Sequence, residues 1–389
     1  MECTNYKAFD AYANRISTLL QIEIENPYLA IINLSTKRTK EEFFAALRML
    51  QDIIYRPEAW KKYNPMTLYD IYRDVTELID IMFLINKYSP QLSNRLPTTR
   101  AETESCPMQA INKLFARKDI RDSGPEMTEP TTTLANIFTT HALFAMKEDL
   151  YTGLKAGLNL SYTPNDKEAY LGLQYGDLLH LYSSVEDLVT ELYLLASKDA
   201  SEFPDLSGCE DVKFGIDTEH PSVLPEECID SPETCIKTYF NYDFNYEELL
   251  SGFSELKALL FKTEVWNTAR NPGNLIEAYD RIIQIIEIIW LIDQYAQLWL
   301  MVYRYNPTEK HHKLVKVCTK EEVEDPMTVY REFFEYMRVH DWKAMLEEFL
   351  RCSLSNNQCS DLTNKEAIDF EFNLLIKFFE VTYLLICDI

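Results

Sequence analysis

Glycine is what this chain most lacks, with nine in 389 residues, or about 2% where globular chains average near 7%. Few positions are therefore free to take positive φ. Tight hairpins, β-bulges and glycine-rich phosphate loops are scarce, which predicts helices joined by ordinary loops. Basic residues are also short: 38 Lys and Arg face 62 Asp and Glu, a net charge of −24. That field repels phosphate backbones and anionic membranes and excludes non-specific nucleic-acid binding. A secretory leader is not visible, since Glu2 opens the chain and Arg15, Gln21, Glu23 and Glu25 interrupt the first apolar stretch. The longest apolar run, Ile282 to Tyr303, contains Gln284, Glu287, Asp293, Gln294 and Gln297. With Glu277, Asp280 and Arg281 these form one polar stripe, read as the solvated face of an amphipathic helix rather than a membrane span. The nine cysteines are odd in number and lack any Cys-x-x-Cys. They read as reduced thiols in a cytoplasmic protein.

What is present is helical punctuation and repetition. Apolar residues make up 47% and charged residues 26%, the usage of a globular chain with a real core. Glu41-Glu42-Phe43-Phe44 through Trp60 aligns with Glu247-Glu248-Leu249-Leu250 through Trp266. Asn64-Pro65 then pairs with Asn271-Pro272, Leu68 with Leu275 and Tyr72 with Tyr279. The segment Ile79 to Tyr88 pairs with Ile286 to Tyr295. Shared tryptophans and a shared Asn-Pro at one register exceed what helical periodicity alone produces, so the chain reads as duplicated. Weaker matches join Leu143–Leu158 to Phe333–Phe349 and Glu191–Leu195 to Val381–Leu385.

Capping boxes at Thr39–Glu42 and Thr363–Glu366, and prolines at helix starts after Asn64 and Asp325, place the elements. Eight helices are predicted at 39–56, 65–88, 134–160, 166–197, 246–262, 274–304, 326–353 and 363–387. A solitary helix at 6–25 precedes them, and a short one is expected at 108–118. The fold class is all-α, with two related four-helix bundle-like units at 39–198 and 246–389. Residues 1–38 supply an N-terminal helix and connection, and 199–245 an acidic connection rich in proline and cysteine. Within it, residues 199–235 hold eleven acids against one lysine.

Candidate chemistry is thin. Cys209, His220, Cys228 and Cys235 cluster in sequence, but their spacing is not that of a zinc site, so no metal and no cofactor is expected. Diiron carboxylate chemistry needs Glu-x-x-His, which does not occur. Gly153/Gly157 and Gly172/Gly176 each put two small residues on one helix face, predicting close approach of a neighbouring helix. Trp60 and Trp266 are expected to seal the loop between two helices in each unit. Arg304, then Tyr305, then His311 resembles the arginine–polar–histidine motif of the HEPN family of metal-independent ribonucleases. That resemblance implies Arg304 and His311 as a nuclease pair, although Tyr305 replaces the usual polar residue. The favoured reading is a non-enzymatic binding or scaffold protein engaging a basic partner through Glu202, Asp205, Glu210, Asp211, Glu226 and Glu227. The alternatives are a HEPN-like ribonuclease and an acidic immunity protein mimicking nucleic acid.

Overall fold

Helix starts follow the capping chemistry written in the chain. Thr39 Oγ1 accepts the Glu42 amide at 3.3 Å while Glu42 accepts the Thr39 amide at 2.8 Å. Thr319 and Glu322 repeat this box at 3.3 and 2.7 Å. Asn26 Oδ1 accepts the Leu29 amide at 3.3 Å, ahead of a helix that opens on Pro27. Each cap satisfies an amide that has no intrahelical partner.

The computed structural model describes residues 19–56, 59–88, 133–159, 175–207, 224, 226–240, 246–262, 266, 271–294, 297–355 and 365–387. Among them every regular element is helical, and no strand occurs. In chain order these are α1 Gln21–Glu25, α2 Pro27–Lys37, α3 Lys40–Tyr55, α4 Pro65–Tyr88, α5 Thr133–Thr140 and α6 Leu143–Leu158. Next come α7 Tyr175–Ala196, α8 Glu226–Asp230, α9 Pro232–Thr238, α10 Tyr246–Leu259, α11 Pro272–Gln294 and α12 Gln297–Arg304. The chain closes with α13 Glu309–Leu314, α14 Lys320–Glu324, α15 Pro326–Tyr336, α16 Val339–Leu354 and α17 Lys365–Cys387.

Several expectations are corrected. The helix predicted at 6–25 lies outside the described residues as far as 18; its described end is α1, and the chain helixes again through α2. Asn26, at φ −128° and ψ 84°, separates the two because a residue before proline is driven out of the helical region. The single helix expected at 134–160 is two, broken at Ala142 in extended conformation. Thr139 and Thr140 hydroxyls bond back to Ala135 and Asn136 carbonyls at 2.6 and 2.8 Å just before that break. The helix expected at 326–353 is also two, with Met337 and Arg338 extended between them. Trp342 holds this corner: its ring stacks on Phe333 at 4.3 Å and its Nε1 donates to the Phe333 carbonyl. The helix expected at 274–304 is described as α11 and α12, and Tyr295 and Ala296 between them lie outside the described residues. The helix expected at 108–118 lies outside the described residues.

One order of elements recurs along the chain. A short helix of 7–11 residues (α2, α5, α9, α15) leads to a middle helix of 14–16 (α3, α6, α10, α16). A long helix of 22–24 residues (α4, α7, α11, α17) follows each time. Asn26-Pro27, Ser231-Pro232 and Asp325-Pro326 start three of the short helices from nearly the same backbone, at φ −128°, −140° and −131°. Packing recurs with the order. α4 lies on α6 as α11 lies on α16, and α3 lies on α6 as α10 lies on α16. Across the middle, α4 also packs on α16 and α11 on α6.

The close approaches have the residues they need. A Cβ on Gly157 would stand 2.8 Å from Ile53 side-chain atoms, and one on Gly153 2.9 Å from Ile54, so glycine lets α6 settle against α3 as expected. Gly176 lies in α7, and Gly172 lies outside the described residues. Trp60 and Trp266 are both buried, and their rings meet edge to face at 6.5 Å. Trp266 Nε1 donates to the Ser353 carbonyl at 3.1 Å. No described helix is long and apolar enough to cross a membrane.

Candidate functional site

The interior holds charge, including Glu287 of the stripe expected to face solvent. Three long helices carry a fully buried carboxylate at one place in a shared pattern: polar, apolar, apolar, acid, apolar, any, aromatic, leucine. The pattern reads Glu77 to Leu84 around Asp80, Gln284 to Leu291 around Glu287, and Lys377 to Leu384 around Glu380. In α7 the same frame runs Asp187 to Leu194, with Thr190 at the acid position and Glu191 beside it. Asp80 is held by Lys147 at 2.7 Å and Glu287 by Lys343 at 3.0 Å, each lysine reaching in from a middle helix. Glu380 instead accepts three consecutive amides, from Lys316, Val317 and Cys318, at 2.6, 3.1 and 2.8 Å. It thereby pins the strand of chain that leaves α13.

A second polar group fills the crossing where α4 meets α16 and α6 meets α11. Residues one helical turn apart line it: Tyr69 and Arg73, Tyr151 and Lys155, Glu347 and Arg351. Arg73 Nε lies 2.9 Å from Glu347, Arg351 2.8 Å from Asp70, and Lys155 3.2 Å from Asp280. Tyr151 donates to Asp280, and Tyr69 to Glu347 at 3.4 Å. Tyr72 packs its ring on Tyr151 at 5.2 Å and on Tyr69 at 6.1 Å. Burial pushes the carboxyls of Asp280 and Glu347 above the usual range, only partly offset by Lys155 and Arg73. Burial likewise pushes the phenols of Tyr69, Tyr72, Tyr151 and Tyr279 far up, so they act as neutral hydroxyls. Each acid here is bound to a cation or a hydroxyl donor on another helix. The arrangement fastens four helices together.

The sequence-predicted site residues fall elsewhere. Glu202 and Asp205 are exposed, and Asp205 accepts the Ser207 amide, which holds its carboxyl below the usual range. Glu210 and Asp211 lie outside the described residues, and Glu226 and Glu227 open α8. The connection containing them is anchored at both ends. Phe203 packs on Tyr28 at 5.1 Å, the Leu206 amide bonds the Glu25 carbonyl, and Leu224, Cys228 and Ile229 are buried. Arg304 ends α12 and is exposed, whereas His311 is buried and its Nδ1 accepts the Thr308 amide at 2.8 Å. That nitrogen caps α13 and is already committed.

Two readings need correction here. Cys228 and Cys235 form a disulfide, and Cys352 is also disulfide-bonded, so the thiols are not all reduced. α8 and α9 turn back on each other across Ser231-Pro232, which brings the first pair within bonding distance. Cys209 and His220, the other members of the sequence cluster, lie outside the described residues. The polar stripe of α11 is not a solvated face throughout: Glu287 is buried and Asp280 nearly so, because Lys343 and Lys155 lie opposite them. In the chain each interior acid has apolar neighbours on both sides inside a long apolar helix, a pattern that marks the position but not whether water or a lysine faces it. No protein-family model, curated protein or solved structure matches this chain.

Proposed function

We propose that this chain is a non-enzymatic helical scaffold that binds a basic protein partner through its acidic surface. One observation carries the reading. The interior acids are committed to fastening helices, through Lys147, Lys343, the 316–318 amides, Arg73 and Lys155. Among the described residues many other acids, including Glu202, Asp205, Glu247, Glu248, Glu309 and Glu321, stand exposed, in a chain whose net charge is −24. Such a surface steers a basic partner and sets its approach rate.

The scaffold is built, in this reading, by duplication: 39–198 and 246–389 are related units, and each, together with the short helix that precedes it (α2 or α9), comprises two copies of a short–middle–long helix element. The recurring acid-centred pattern, the matched lysine pairs at Asp80 and Glu287, and the reciprocal crossing of α4 on α16 and α11 on α6 support it. A buried lysine–carboxylate pair at the same place in both units favours common origin over chance. A cytoplasmic setting belongs to the proposal, and the Cys228–Cys235 disulfide is the observation that counts against it.

The test titrates the full-length protein with a fluorescent Lys/Arg-rich peptide at low and at physiological salt. Affinity should fall steeply as the Debye length shrinks to about 8 Å. Salt-independent binding, or no binding at low salt, contradicts the proposal. RNA cleavage by metal-free protein that is lost on Arg304→Ala would replace it with a HEPN-type nuclease.

A further inference from the structure

Among the described residues, the densest exposed aromatic surface lies on α12, which follows the long helix α11. Leu298 and Met301 bury one side of α12. Trp299, Leu300 and Tyr303 stand on the other at 58%, 41% and 75% exposure. The Trp299 and Tyr303 rings stack on each other at 5.2 Å and an interplanar angle of 17°, forming one flat ledge. Exposed aromatics of this size, grouped and ordered, mark interaction sites more often than scattered apolar residues do.

Along the chain, the charge from the ledge onward runs opposite to the rest of the protein. Residues 297–320 carry Arg304, Lys310, Lys313, Lys316 and Lys320 against one acid, Glu309, in a chain whose net charge is −24. All five cations are exposed. Lys316 reaches Glu247 at 3.0 Å, and Lys313 and Lys320 lie 3.7 and 3.6 Å from Glu309 and Glu324. Arg304 and Lys310 make no ion pair among the described residues, and Arg304 directly follows Tyr303.

The geometry points to a docking ledge for a short acidic segment of a second protein, one that carries an aromatic or aliphatic side chain among its carboxylates. The apolar side chain lies against Trp299 and Tyr303, and the carboxylates meet Arg304 and Lys310. Charge complementarity selects this occupant. A long polyanion such as single-stranded RNA extends beyond the patch into the field of the acidic surface, whereas a short segment stays within roughly one screening length of its cations. This surface is distinct from the acidic one, so the scaffold would join a basic partner to an acidic one.

Trp299 offers a direct readout, because the other four tryptophans (60, 266, 290 and 342) are buried. In the full-length protein, acrylamide should quench a component of fluorescence that Trp299→Phe removes. A synthetic peptide of glutamates around one phenylalanine should protect that component. Its glutamine analogue should protect several-fold less, and Arg304→Glu with Lys310→Glu should abolish protection while leaving the melting temperature unchanged. Trp299→Ala should weaken the peptide's binding at least about tenfold. Failure of the acidic peptide to protect Trp299, or equal protection by the glutamine analogue, overturns the inference. So does protection by oligouridylate alone, or protection that appears only as protein concentration rises, which would assign the ledge to RNA or to a second copy. Loss of peptide binding here leaves the basic-peptide titration untouched, so the two proposals fail separately.

Discussion

At the scale of single residues, the buried lysine–carboxylate pairs dominate. Lys147 and Lys343 are mostly buried and Asp80 and Glu287 wholly so. Removing one partner leaves an uncompensated charge in the core, so Lys147→Ala or Lys343→Ala should cost about 3–5 kcal/mol. Adding Asp80→Leu to Lys147→Met should recover most of the loss, because a well-packed apolar pair is often no worse than a buried ion pair. Chemical denaturation checks both; equal stability of Lys147→Ala and wild type would mean that the pair is solvated. Trp60→Ala should likewise cost about 3–5 kcal/mol, since it empties a site shared with Trp266. The burial of both tryptophans was legible in the chain, because their position at the same register in two apolar segments leaves them little else to pack on. The burial of Asp80 and Glu287 was not. Whether a carboxylate on a helix meets water or a lysine depends on which helix lies opposite, and that is tertiary information.

At the scale of elements, local chemistry decided what could be read. Starts at Thr39, Pro65, Pro272 and Pro326 were legible or nearly so, because a cap or proline acts within one turn. The breaks at Ala142 and at Met337–Arg338 were not, since neither contains glycine or proline and the second is held by Trp342 stacking on Phe333. Close packing of α6 on α3 yields a sharper test. Gly157→Ala meets Ile53 near its backbone, with Cβ only 3.2 Å away, whereas Gly153→Ala meets the movable tip of Ile54. The first should therefore be the more destabilising, by roughly 1–3 kcal/mol. Combining Gly157→Ala with Ile53→Ala should cost less than the two separate losses added together. Additive losses would show that α3 and α6 do not touch there.

At the scale of the whole molecule, two consequences follow from where charge sits. Asp280 and Glu347 sit at the α4–α16 and α6–α11 crossing, and burial raises both carboxyls in the folded state. A raised folded pKa means that the fold binds the proton more tightly than the unfolded chain does. Their contribution is present below the ordinary carboxylate range near 4 and is lost as pH rises through the raised values. Compared with wild type, Asp280→Asn with Glu347→Gln should therefore gain relative stability as pH rises from about 3, below the ordinary carboxylate range, to about 7. Thermal melts at the two pH values check this, and parallel shifts in both proteins would rule out these groups. The outward acidity is tested by association kinetics with the Lys/Arg-rich peptide. Glu202, Asp205, Glu210, Asp211, Glu226 and Glu227 are neutralised together to Gln or Asn, and the association rate is measured by stopped flow at low salt. Binding through the acidic connection predicts a slower association, with dissociation and melting temperature nearly unchanged. An unchanged association rate would contradict it.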